Sequence, residues 1–161
     1  MYDRKDWRPA STFVWQYLTS QIPLRPFLFF REVAIDVGIS QRHLNAPLSY
    51  IMEFCERASL PPLTGIILTK HEFERKNRHT PSAHFRLKHQ GKFYFPGDTQ
   101  FEVLYHQRIK EIQAVNWQAI AFEPAPMHYA RLKKQLLEDK KQYETDKHEN
   151  MSLALLARCA R

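Results

Sequence analysis

The stretch Phe30-Arg31-Glu32-Val33-Ala34-Ile35-Asp36-Val37-Gly38-Ile39-Ser40-Gln41-Arg42-His43-Leu44-Asn45 decides how the chain is read. Two short helices crossing near a right angle need a small residue where they nearly touch and a glycine where the backbone turns left-handed. Ala34 is the small residue, and Gly38 follows four positions later. Val33, Val37 and Ile39 supply apolar flanks, and Leu44 supplies the inner face of the second helix. The spacing predicts a helix over residues 26–37, opened by Pro26 and closed at Gly38, then a second over residues 40–45 capped by Ser40. Pro47 falls where a branched aliphatic residue is usual, so the second helix is expected to break there and restart over residues 47–58. In that restart Leu48, Ile51, Met52 and Cys55 fall at i, i+3, i+4 and i+7, one helical face.

Outward from this unit the period changes. Phe13, Val14, Tyr17, Leu18 and Ile22 recur at helical spacing over residues 11–22, with Ser11 and Thr12 as candidate caps and Pro23 as a stop. Pro61-Pro62 closes the helical region, and the β-branched run 63–69 reads as a strand. Ala83, Phe85 and Leu87 alternate with His84, Arg86 and Lys88; Gln90-Gly91 turns the chain, and Phe93-Tyr94-Phe95 returns it. That pattern predicts an antiparallel hairpin with one apolar and one basic face. Thr99 and Glu102 form a capping box before a helix striped by Phe101, Leu104, Tyr105, Ile109 and Ile112. Pro124 and Pro126 mark a joint before a charged helix over residues 127–143, with Leu132 and Leu136 as a thin apolar stripe, and a short apolar helix over 151–160. The expected fold is therefore α+β. An N-terminal helix-turn-helix and a small antiparallel sheet, in winged-helix order, fill residues 1–122, and a C-terminal helical extension fills residues 123–161.

Composition bounds the chemistry. The 161 residues are 43% hydrophobic, 13% aromatic and 25% charged, the balance of a globular chain with a real core. With only 4 glycines and no glycine-rich phosphate loop, nucleotide-triphosphate chemistry is disfavoured. No apolar stretch, residues 27–30 among them, comes near the length that spans a bilayer, and the charged N-terminus shows none of the apolar core expected of a signal peptide. Two cysteines, Cys55 and Cys159, make no disulfide framework, so a cytoplasmic setting is expected. The net charge is +7, of which residues 70–92 alone carry +5. A focused excess of cations points to a polyanionic partner, whereas a diffuse one points only to solubility.

Within that basic segment lie Lys70, His71, Arg75, Lys76, Arg78, His79, His84, Arg86, Lys88, His89 and Lys92, interleaved with Phe73, Phe85, Phe93 and Tyr94. Arg75, Lys76, Arg78, Arg86 and Lys88 are the expected phosphate contacts, with Lys70, His84 and Lys92 beside them. The histidines lack zinc spacing, have no cysteine pair nearby, and share a strand face with cations that repel a metal, so no metal or other cofactor is expected. On the second helix of the turn unit, Ser40, Gln41, Arg42, His43 and Asn45 are the outward residues that reach base edges or phosphates, Gln41 and Arg42 foremost. No carboxylate set forms a metal frame: Glu72 and Glu74 balance lysines, while Asp98 and Glu102 suit a helix N-terminus. Cys55 sits on an apolar helix face, the position of a structural thiol. Nothing points to catalysis.

The run Val14-Trp15-Gln16-Tyr17-Leu18, then Ile22-Pro23, then Phe30-Arg31-Glu32-Val33-Ala34 and Gly38 resembles the C-terminal domain of alkylguanine-DNA alkyltransferases and alkyltransferase-like proteins. Arg42 matches the arginine that this family carries near the start of its recognition helix. Leu60-Pro61 followed by residues 63–68 is similar to the stretch leading into the family's active site. The likeness covers residues 12–69, under half of the chain. It departs at the Pro-Cys-His-Arg-Val acceptor motif, which is absent, since residues 64–70 hold no cysteine, and the Arg42–Leu60 spacing is longer than the family's. The resemblance thus implies a DNA-binding winged helix without alkyl transfer, and recognition of a specific or modified duplex. The rival expectations are an interaction module or inhibitor on a nuclease, polymerase or phage–defence complex, and, more weakly, a metal-dependent nuclease. The C-terminal helix is a candidate for homodimer or partner docking.

Overall fold

The computed structural model describes residues 6–70, 81, 85 and 87–126, together with residues 131, 134–135, 137–142, 144–146 and 148, which are helical. The chain divides into two compact units, Met1–Met127 and His128–Arg161. The first mixes helices with two separate two-stranded sheets, an α+β arrangement.

Helix α1 spans Arg8–Gln21. It begins three residues ahead of the expected start because Asp6 accepts the Arg8 N–H at 3.0 Å and also grips its guanidinium. A carboxylate at a helix N-terminus is favourable there. Ser11 and Thr12 are therefore not caps; their hydroxyls donate back to the Arg8 carbonyl inside the helix. Val14, Trp15 and Leu18 form the buried face.

The helix expected from Pro26 starts only at Phe30. Leu28–Phe29 instead forms strand β1, which pairs in parallel with strand β2, Ile67–Leu68, in the register Leu28↔Ile67 and Phe29↔Leu68. This pairing overrides local helical propensity, and Leu28 is buried within it. The strand expected over residues 63–69 is likewise shorter, because Leu63–Ile66 winds into a 3₁₀ turn before β2.

Helix α2, Phe30–Val37, ends where the sequence marks it. Gly38 adopts φ 71°, with its N–H on the Ile35 carbonyl at 3.2 Å and the Ile39 N–H on Ala34 at 3.1 Å. These two bonds close a Schellman cap. Helix α3 follows as one continuous helix, Gln41–Arg57. The break expected at Pro47 does not occur. A helix-interior proline costs about 3 kcal/mol, and burial of one unbroken face (Leu44, Leu48, Ile51 and Cys55) offsets it. A second Schellman cap ends α3, with Ser59 rather than glycine in the left-handed region at φ 55° and the Leu60 N–H on Cys55 at 2.8 Å.

Strands β3, Leu87–His89, and β4, Lys92–Tyr94, form the antiparallel hairpin. Gln90 at φ 51° and Gly91 at φ 79° make its two-residue turn, both left-handed as a type I′ hairpin requires. Helix α4, Thr99–Ala114, buries Phe101, Tyr105, Ile109 and Ile112. The expected capping box is not formed: Asp98 is the N-cap and Thr99 is already helical.

The core joins all of these elements. Tyr105 donates its hydroxyl to the Gly65 carbonyl at 2.6 Å, with Phe85 and Phe101 packed against its ring. After α4 the chain returns across α1 and α3. Trp117 donates its indole N–H to Ile112, Phe122 stacks on Trp15 at 4.7 Å and meets Phe54 edge-on at 5.0 Å, and Arg57 donates to the Glu123 carbonyl.

The two structural glycines should respond differently to alanine. A Cβ on Gly38 meets nothing within 4 Å, so Gly38→Ala carries only left-handed strain, about 1 kcal/mol. A Cβ on Gly65 would stand 2.8 Å from the Phe85 ring, so Gly65→Ala should cost about 1–3 kcal/mol through overpacking. Urea unfolding should show Gly65→Ala as the weaker of the two variants, and recover it when Phe85 is shortened to Leu.

Candidate nucleic-acid interface

Local backbone geometry positions the first part of the site. The Gly38 turn delivers Ser40 at the N-cap of α3 and presents Gln41 and Arg42 to solvent in its first turn. His43 is half-buried. Its Nδ1 is 2.9 Å from the Ser40 hydroxyl, and its ring lies 5.9 Å from that of the buried Trp7. The expected Ser40 side-chain cap is therefore replaced by a Ser40–His43 contact. Asn45 is not an outward residue: it is half-buried, its Oδ1 is shielded without a hydrogen bond, and its carbonyl accepts from Ser49 at 2.7 Å.

The hairpin supplies the second part. Lys88 and Lys92 are exposed, and the Lys88 ammonium lies 5.7 Å from the Phe93 ring centroid. Lys70, exposed just after β2, sits 5.7 Å from the centre of Phe29. Of the other expected phosphate contacts, Arg75, Lys76, Arg78, His84 and Arg86 lie outside the described residues. Leu68 bridges to Pro81, which fixes where the chain re-enters beside β2.

Two residues that the sequence does not flag hold the hairpin. Arg108 of α4 sets Nη1 against both oxygens of Glu111 at 3.0 and 3.1 Å and donates through Nη2 to the Lys88 carbonyl at 3.3 Å. This clamp ties β3 to α4 through the backbone of a proposed contact residue. The signal that could have found it is its phase: Arg108 stands i+4 from Leu104, i+3 from Tyr105 and i−4 from Ile112, a charge set within the apolar stripe.

Helix α3 connects the two parts. Its C-terminal residues Met52, Cys55, Glu56 and Ser59 line a cleft of about 570 Å³ together with Leu87, Lys88 and Phe93 of the hairpin. Gln41 lies on the same stripe of α3 as Met52, about 16 Å along the axis, since eleven residues bring a helix nearly back into phase. Arg42 lies roughly a quarter-turn aside. Gln41 thus shares the stripe of α3 that, about 16 Å further along, reaches the cleft lined by Lys88.

The chemistry available is ionic and hydrogen-bonding rather than nucleophilic. Burial pushes the Cys55 thiol up to about 11, so it stays protonated near neutrality. Among the described residues no group of three or more His, Cys, Asp or Glu side chains is arranged to hold a metal ion, and no helix is long and apolar enough to cross a membrane. In comparison with known proteins, no family model, curated protein or solved structure matches this chain.

Alkaline stability follows from the buried groups. Cys55 rises from 9.0 to about 11, and Tyr17, half-buried and bonded to Asp36, rises from 10.0 to about 12. A folded value above the unfolded one means that stability is intact below the unfolded value and is lost as pH climbs through the folded one. The urea midpoint should therefore hold steady up to about pH 9 and fall between about pH 9 and 12. Tyr17→Phe should flatten the upper part of that fall, and an unchanged slope in the variant would contradict the assignment.

Proposed function

We propose that the protein is a non-catalytic duplex-DNA-binding protein of winged-helix type, with the start of α3 in a groove and basic side chains of the hairpin and of residues 70–86 on phosphates. One observation carries the reading. The left-handed Gly38 cap joins α2 to α3 so that Gln41 and Arg42 are exposed in the first turn, and the stripe of α3 bearing Gln41 leads to the cleft wall formed by Lys88. Arg and Gln are suited to the hydrogen-bonding edges of guanine and adenine, and lysines to phosphate. The overall charge of +7, concentrated in residues 70–92, favours the same partner. The sequence likeness to alkyltransferase-like proteins adds recognition of a specific or modified duplex to this reading, without alkyl transfer. Asn45, shielded in the fold, is not among the proposed base contacts.

A protein-interaction role is the second reading. Phe13, Leu24 and Ile35, on α1, the following turn and α2, are each more than half exposed. Apolar side chains there suit a protein partner.

The two readings separate by salt and charge. Duplex binding should weaken steeply with salt, and Lys88→Ala and Lys92→Ala should each reduce the log–log slope by about one if the side chain meets a phosphate. Arg42→Glu should lower affinity at least about tenfold while leaving the circular dichroism spectrum unchanged. Duplex affinity that ignores all three substitutions would remove the DNA reading. Loss of partner capture on Phe13→Ser or Ile35→Ser, with DNA affinity absent throughout, would establish the second.

A further inference from the structure

The cleft between the C-terminal half of α3, the hairpin and α4 shares Lys88 with the duplex interface proposed above, and its other lining residues have no part in that reading. Its volume, about 570 Å³, falls in the range of small-molecule sites. Its lining divides by chemistry. Met52, Leu60, Pro61, Leu87 and Phe93 offer apolar and aromatic surface, while Lys88 and Arg108 bring cations to one wall. Glu111 is engaged by Arg108, and the Nη2 contacts of that guanidinium with the Lys88 carbonyl and His89 are long, at 3.3 Å each. Glu56, exposed on α3, offers an acceptor on the helical wall.

Two further features mark the site. Ser59 borders the cleft in the left-handed region at φ 55°, where a glycine would end the helix without strain of about 1 kcal/mol. Strain of this kind in a side-chain-bearing residue collects at ligand sites. The Cys55 thiol in the lining stays neutral near pH 7, so it places no negative charge against an anion.

We propose that this cleft binds a small aromatic carboxylate, its ring against Met52, Leu87 and Phe93 and its carboxylate toward the exposed Lys88 ammonium. The site is formed wholly by residues of the first unit, and its test needs no nucleic acid.

The full chain, without DNA, is titrated with three probes of one ring system: indole-3-acetate, neutral indole and cationic tryptamine. Calorimetry and amide chemical shifts are read together. Indole-3-acetate should bind with a Kd at or below about 1 mM, at least about tenfold tighter than indole, with tryptamine weakest. Shifts should centre on residues 52–62, 87–93 and 108–111. Lys88→Glu, at an exposed position, should abolish or invert the charge preference. Met52→Trp should fill the cleft and block all three probes; if that variant does not fold, Phe93→Ala should weaken indole-3-acetate at least about fivefold. Equal affinity for the three probes, shifts centred elsewhere, or no saturation by about 5 mM overturns the proposal. Because no nucleic acid is present, these outcomes leave the DNA reading untouched, and failure of the DNA reading leaves them standing.

Discussion

The arrangement of the first unit depends on the hydrogen bond from Tyr105 to the Gly65 carbonyl. A carbonyl buried in a 3₁₀ turn needs a donor, since an unmet one costs about 1–3 kcal/mol. Tyr105 supplies it from α4, and its ring bears on Phe85, which leads into the hairpin, and on Phe27, which precedes β1. One side chain thereby fixes α4, the 3₁₀ turn and the approaches to both sheets against each other. Gly65 is glycine because Phe85 lies where a Cβ would be.

Around that centre, two charge arrangements do different work. Asp6–Arg8 and Arg57–Glu53 are exposed pairs within one element and contribute little. Arg108 differs because its side chain is only 18% exposed and its donors reach a carboxylate on its own helix and a carbonyl on the hairpin. It turns an electrostatic contact into a positional one. The aromatic group of Trp15, Phe54, Trp117 and Phe122 does the equivalent for the segment after α4, using ring geometry in place of charge.

Much of this was legible in the residues. Gly38 announced its left-handed cap, Gln90-Gly91 its hairpin turn, and the Phe101–Ile112 stripe its helix, because in each case the deciding physics is local. The misreadings share one cause. Pro26 and Pro47 carry strong local signals, yet strand pairing at Leu28–Phe29 displaced the first and burial of a long apolar face overrode the second. Neither contact can be seen without knowing what lies across from it. The end of α3 was legible to within a residue, although the left-handed cap at Ser59 was not, since a serine seldom takes a left-handed φ. For the interface, Arg42 is exposed as helical phase requires; Gln41, in phase with the buried Leu48, Met52 and Cys55, is exposed at the first residue of the helix, and Asn45 one turn on is sheltered.

The parallel pair of β1 and β2 has a meaning for how the molecule opens. It clasps residue 28 to residue 67, and everything that forms α2, the Gly38 turn and α3 lies in the loop so enclosed. Contacts of such separation form late, because loop closure is costly before the intervening helices shorten the path. Once the clasp is shut, the two helices cannot drift apart without releasing it. Amide protons on both sides of the turn should therefore be lost to solvent as a single cooperative block, and the turn cannot act as a hinge while the clasp holds.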